Sequence, residues 1–124
     1  MDGSKSILYV DDEPYNLLLF EAGFKKAYPI ITAASGKEGL EKLDAEDQIA
    51  LVITDMKMPD MSGVDFVQEA KKRNHQKVYF ILSGFDFNEE IQEGLSTGLI
   101  DRSFNKPFSF EEIKVAIDEY LGPA

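Results

Sequence analysis

Along this chain, short apolar runs alternate with stretches whose apolar residues recur at helical spacing. Ile7-Leu8-Tyr9-Val10 is a strand-sized run, and Pro14 follows it at the kind of first-turn position where a helix tolerates a missing N–H. Leu17, Phe20, Phe24 and Ala27, spaced by three and four residues, form the inner stripe of that helix. Residues 28–33 read as a second strand. Ser35 and Glu38 then make a Ser-x-x-Glu capping box, opening a helix that turns Leu40 and Leu43 inward. Residues 49–54 are a third strand, and Ser62 caps a helix carrying Val64, Val67 and Ala70. Residues 78–83 form a fourth strand, after which Asp86 with Glu89 is expected to cap a helix running through Ile91 and Leu95. Residues 102–105 make a fifth strand, polar enough to belong at a sheet edge. Ser109 and Glu112 repeat the capping box. Phe110, Ile113, Ile117 and Leu121 mark the inward face of the last helix, which Gly122-Pro123 ends.

Five strand–helix units with nearly continuous apolar strands predict an α/β fold, a parallel sheet covered by helices on both faces. Right-handed crossovers leave two common doubly wound arrangements, and five strands fit the flavodoxin-like (βα)5 order 2-1-3-4-5. With 124 residues and no linker, repeat or low-complexity tract, residues 1–124 are expected to form one domain. In such sheets the ligand sits at the carboxyl ends of the strands, beside the switch point between the first and third. The residues just past the end of each strand therefore carry the chemistry.

Composition narrows the classes. There is no cysteine, so disulfides, thiolate–zinc sites and cysteine nucleophiles are excluded. Thirteen Lys+Arg against 23 Asp+Glu give a formal charge of −10, which repels nucleic acid and anionic membranes. The one basic cluster, Lys71-Lys72-Arg73 with Lys77, closes a predicted helix, where it complements the negative end of the dipole. His75 in the same stretch reads as a solvated loop residue. Residues 1–5 lead into only four apolar residues before Asp11, too short a run for a signal-peptide core, and a soluble cytoplasmic protein is expected.

Asp11 and Asp12 follow the first strand, Asp55 the third, Ser83 the fourth and Lys106 the fifth. Singly, each has an ordinary explanation as a turn, cap or surface residue. Together they converge on one rim from four segments. At roughly 4 Å and an effective dielectric of about 20, each like-charged carboxylate pair repels by about 4 kcal/mol. Either a proton is retained or a cation enters. Hard oxygen ligands suit Mg2+, which keeps several waters and often binds a phosphate as well. A metal, a lysine, a hydroxyl and a carboxylate nucleophile are the equipment for phosphoryl transfer to aspartate.

The run Ile7-Leu8-Tyr9-Val10-Asp11-Asp12-Glu13-Pro14 resembles the opening of a bacterial two-component response-regulator receiver domain. Thr54-Asp55-Met56-Lys57-Met58-Pro59-Asp60-Met61-Ser62-Gly63 is similar to that family's phosphoacceptor loop, and Ser83-Gly84 and Lys106-Pro107-Phe108 to its two remaining signatures. The resemblance covers essentially the whole chain. It implies that Asp55 becomes the aspartyl phosphate and that Asp12 ligates Mg2+. Asp11 binds the ion through water or supports it, and the backbone carbonyl of Lys57 is a further ligand. Ser83 and Lys106 then meet phosphoryl oxygens, and a cis Lys106–Pro107 peptide aims the lysine. The implied partners are a sensor histidine kinase or phosphotransfer protein as donor and a downstream effector protein or domain. The implied role is a switch, not an enzyme acting on other substrates.

Two positions depart from the family pattern. Ser103 stands where an aromatic usually lies three residues before the lysine, and residues 98–106 resemble a longer variant of that loop, with Arg102 beside Ser103. The loop after Ser83, with Phe85 and Phe87, is therefore expected to carry the response, and Phe104 to be core. A flavodoxin would need a hydroxyl-rich phosphate loop where this chain has Asp11-Asp12-Glu13. A haloacid-dehalogenase-type phosphatase would need Asp-x-Asp after one strand, which is absent here. The remaining alternative is an interaction module with a receiver fold that works without phosphorylation; such members typically lose an acid or the lysine, and all are present.

Overall fold

The computed structural model describes residues 5–84 and 88–122. Its elements, in chain order, are β1 (Ser6–Val10), α1 (Pro14–Phe24), β2 (Ile30–Ala33), α2 (Gly36–Ala45), β3 (Ile49–Asp55), α3 (Gly63–Lys72), β4 (Val78–Ser83), α4 (Glu89–Thr97), β5 (Arg102–Asn105) and α5 (Phe110–Leu121). The strands form one five-stranded sheet in the order β2-β1-β3-β4-β5, parallel at every pairing. The doubly wound order expected from the pattern is the one found, with polar β5 at an edge.

Successive strand side chains point to opposite faces, and the core divides accordingly. Ile7 and Tyr9 of β1, Leu51 and Ile53 of β3, and Phe80 and Leu82 of β4 pack with Phe20 and Phe24 of α1 and with Ile113, Ala116 and Ile117 of α5. Leu8 and Val10, Val52, and Tyr79 and Ile81 face the other way, onto Leu40 and Leu43 of α2, Val64, Phe66 and Val67 of α3, and Ile91 of α4. Phe104 joins the first cluster as core, as expected.

The caps follow the sequence signals with one correction. Ser35, Ser62 and Ser109 accept from the backbone N–H of Glu38, Asp65 and Glu112. For α4, however, the cap is Asn88, whose side chain accepts from Ile91 N. The expected cap Asp86 lies outside the described residues, as do Phe85, Phe87 and Pro123. Gly98 closes α4 in the left-handed region, at φ 81°, where glycine carries no Cβ penalty.

Four further expectations change. α1 ends at Phe24, and Ala27 and Tyr28 turn back to donate to the Phe24 carbonyl. β2 therefore begins at Ile30, after Pro29, whose own carbonyl accepts from Ile7 N. Phe110 is 37% exposed, its ring lying against Phe24 and Phe108 at the margin of the core. His75 is not a free loop residue: its Nε2 lies 2.7 Å from Asp44, which also takes Arg73 at 2.7 Å, tying the end of α3 to α2.

Candidate functional site

Parallel strands finish on a common edge, so the residues that end or follow β1, β3, β4 and β5 share one rim. The ladder carries that alignment to its last residues, pairing Asp55 with Leu82 and Ser83 with Asn105. Beyond it, Met56 N donates to the Leu82 carbonyl at 2.8 Å and Lys106 N to the Ser83 carbonyl at 2.7 Å. The Lys106–Pro107 peptide is cis, as the resemblance implied.

On this rim Asp11, Asp12 and Asp55 each offer a carboxylate oxygen, all within 4.8 Å of one another. Lys106 Nζ lies 2.7 Å from Asp55 Oδ1 and 3.9 Å from Asp11 Oδ2. Asp55 is 7% exposed and Asp11 fully buried, whereas Asp12 faces solvent. Burial pushes the Asp55 carboxyl above the usual carboxylate range. The Lys106 ammonium pulls it back, and the Asp11 and Asp12 charges add to the rise.

Asp11 is the most heavily hydrogen-bonded of the three. Its Oδ1 accepts from Glu13 N at 3.0 Å. Its Oδ2 accepts from the Tyr9 hydroxyl at 2.7 Å and from Asn16 Nδ2 at 3.1 Å. Tyr9 reaches it because residues two apart on a strand share a face, and its ring is held by stacking on Phe20 at 4.1 Å between centroids. Burial, then the hydrogen bond to Asp11, push the Tyr9 hydroxyl well above its ordinary value, so it remains a donor.

A cleft of about 260 Å³ opens at Asp55, lined also by Met56, Lys57, Ser83, Gly84, Asn88 and Lys106. Among the described residues, the Ser83 hydroxyl makes a single long contact, to the Gly84 carbonyl at 3.3 Å. The acceptor loop is braced from both ends. Gly63 N donates to the Met56 carbonyl at 2.8 Å, and a Cβ at Gly63 would stand 2.6 Å from the Asp55 carbonyl oxygen, so only glycine fits there. Asp60 accepts from Gly36 N at 3.2 Å and Lys37 N at 2.9 Å. Burial opposes its ionisation, but the Lys37 and Gly36 amides, with those of Asp60 and Met61, hold its carboxyl below the usual range.

The residues expected at the phosphoryl and metal site lie on this rim: Asp11, Asp12 and Asp55 in the cluster, Lys106 against it, Ser83 and Lys57 in the cleft wall. Sequence reasoning passes over Tyr9, Asn16, Asp60 and Asn88. The spacing of Tyr9 and Asp11 is a usable signal, since it places both on one strand face.

The arrangement is an acidic, cation-ready pocket with one lysine-paired carboxylate at the switch point of a doubly wound sheet. The family model of the response regulator receiver domain matches residues 7–118, and the chain belongs to that family. Sporulation initiation phosphotransferase F of Bacillus subtilis is 31% identical over 119 residues, covering 95% of this chain and 94% of that protein. A probable cyclic di-GMP phosphodiesterase of Vibrio cholerae is 36% identical over 118 residues, 94% of this chain but only 26% of that protein. Among solved structures, the response regulator TrrA of Thermotoga maritima, in complex with Mg(2+)-BeF, is similar with a TM-score of 0.79 at 31% identity, covering 94% of this chain and 99% of that one. The chain is thus a receiver domain of two-component signalling. No helix among the described residues is long and apolar enough to cross a membrane.

Proposed function

We propose that residues 1–124 act as one phosphorylation-dependent switch in which Asp55 takes a phosphoryl group from a histidine kinase or phosphotransfer protein. An Asp55 carboxylate oxygen attacks phosphorus as the P–N bond of the donor phosphohistidine breaks. The bonding pair stays on that nitrogen while the donor ring's other nitrogen carries a proton, so neutral imidazole departs and Asp55 needs no acid beside it. In this reading Lys106, now 2.7 Å from Asp55, pairs with a phosphoryl oxygen, and the Ser83 hydroxyl donates to another.

The oxygens of Asp11, Asp12 and Asp55, within 4.8 Å of one another, fit a small hard cation. Asp12, Asp55 and the Lys57 backbone carbonyl are the direct ligands in this reading, with Asp11 supporting them. An Mg2+ held there would supply positive charge to offset that on the transferred group. The product acts on a downstream effector in the cytoplasm. With a charge of −10, neither nucleic acid nor an anionic membrane is the target. The chain transforms no substrate beyond its own phosphorylation and dephosphorylation.

The observation that carries this reading is a nearly buried Asp55 carboxylate paired to Lys106 inside a three-carboxylate cluster. Intact-mass measurement after incubation with a small acyl phosphate tests it. Wild type gains one phosphoryl group with Mg2+ and none with chelator, and Asp55→Asn gains none in either. Phosphorylation that persists in Asp55→Asn, or without a divalent cation, overturns the assignment.

A further inference from the structure

Phosphoryl transfer to Asp55 gives the Tyr9 hydroxyl no task of its own. The Tyr9 ring needs no hydroxyl to stack on Phe20, and a phenylalanine would fill the same core space. Yet the fully buried hydroxyl donates to Asp11 Oδ2 at 2.7 Å, and Asn16 Nδ2 donates to the same oxygen at 3.1 Å. A carboxylate oxygen offers about two lone-pair directions. Both on Oδ2 are therefore taken, and Lys106 stands 3.9 Å from that oxygen as well. On Oδ1, Glu13 N takes one direction at 3.0 Å. Asp11 thus brings a full charge to the cluster but a single open coordinating direction.

Cations feel this restriction unequally. Ca2+ takes six to eight oxygens and commonly binds carboxylates through both oxygens, whereas Mg2+ accepts about six, single-oxygen ligands in a tight octahedron, several of them water. Resting on the proposed function, we propose that Tyr9 is a specificity-determining residue for the cation: by occupying Oδ2 of Asp11 with Asn16, it denies that carboxylate two-oxygen binding and biases the site toward magnesium over calcium. Tyr9 acts through Asp11, so it is a positioning residue rather than a ligand.

The test is calorimetric titration of the full chain with MgCl2 and, separately, CaCl2, for wild type, Tyr9→Phe, Asn16→Ala and Phe24→Leu. Tyr9→Phe frees one direction on Oδ2 while keeping the ring. The ratio of the Ca2+ to the Mg2+ dissociation constant is expected to fall roughly tenfold, the effect of removing one hydrogen bond from a charged acceptor. Asn16→Ala, which removes the other donor, moves the ratio the same way. Phe24→Leu loses aromatic packing in the same cluster but has no donor to withdraw, so it lowers the melting temperature and leaves the ratio in place. An unchanged ratio in both Tyr9→Phe and Asn16→Ala, with wild type binding Mg2+, overturns the role given to Tyr9 alone. A ratio that moves equally in Phe24→Leu also overturns it, since packing would then be the cause. Wild type that binds neither cation removes the metal site itself, and the proposed function with it.

Discussion

Replacing Asp55 with asparagine is expected to stabilise the cation-free protein at neutral pH. Lys106 at 2.7 Å attracts the Asp55 carboxylate by about 6 kcal/mol at an effective dielectric of about 20. Asp11 and Asp12, with oxygens within 4.8 Å, each repel it by about 3.5 kcal/mol or more on the same scale. Attraction and repulsion nearly cancel, leaving the burial of a charge that is 7% exposed as the deciding effect. That agrees with the upward displacement of the Asp55 carboxyl. A group whose folded value is raised contributes stability below its ordinary value and loses it as pH climbs through the raised one. At neutral pH the ionised Asp55 is therefore a cost. Asparagine keeps the shape and an acceptor for Lys106 while removing the charge. The expected gain is about 1–2 kcal/mol, a melting temperature higher by roughly 3–8 °C for a chain of this size. Thermal unfolding followed by circular dichroism in chelator, from about pH 4 to pH 8, measures it. The advantage of Asp55→Asn should be largest at the high end and shrink as pH falls and the native aspartate takes up its proton. A variant no more stable than wild type at neutral pH, or an advantage that grows as pH falls, refutes the reasoning.

Lys106→Met should move two properties in opposite directions. Mg2+ binds roughly threefold to tenfold tighter in a metal titration, because a competing positive charge is gone, while phosphoryl uptake measured by mass falls. Gly63→Ala forces a methyl to within 2.6 Å of the Asp55 carbonyl and 3.1 Å of Met56 Cα, so denaturant unfolding should show a loss of about 1–3 kcal/mol together with slower phosphorylation. Asp60→Ala leaves the Gly36 and Lys37 amides without their acceptor. Because Asp60 is exposed, the cost should be about 0.5–1 kcal/mol; it is present at neutral pH and disappears in acid, as expected where the folded carboxyl value is lowered, and a variant equally destabilised at both ends of the pH range contradicts the cap.

The parts of this molecule that are readable from sequence are those governed by local periods. Strand-sized apolar runs mark β1, β3 and β4, and serine caps mark where α2, α3 and α5 begin. The convergence of Asp11, Asp12, Asp55, Ser83 and Lys106 comes with the parallel strands, since such strands must end on one edge. What escapes depends on contacts between distant segments. Nothing near His75 announces Asp44, which lies 31 residues away. Nothing near Asp60 announces the amides of Gly36 and Lys37, 24 and 23 residues back. The pattern makes β2 two residues too long because Tyr28 is apolar enough to extend the strand, yet its N–H is already given to Phe24. Asn88 escapes as a cap because Asp86, two positions earlier, has the better-known spacing to Glu89.

The two amides held by Asp60 have a consequence for where an anion comes to rest. Free N–H groups at the start of a helix make a ready cradle for phosphate, and α2 opens on the same edge of the sheet as the acceptor carboxylate. Its first-turn donors are already engaged: Gly36 and Lys37 by Asp60, and Glu38 by Ser35. A phosphate group that diffuses to this edge therefore meets an aspartate charge at α2 instead of vacant amides. The start of α2 thus turns the incoming group away instead of holding it, and leaves its attraction to Lys106 beside Asp55.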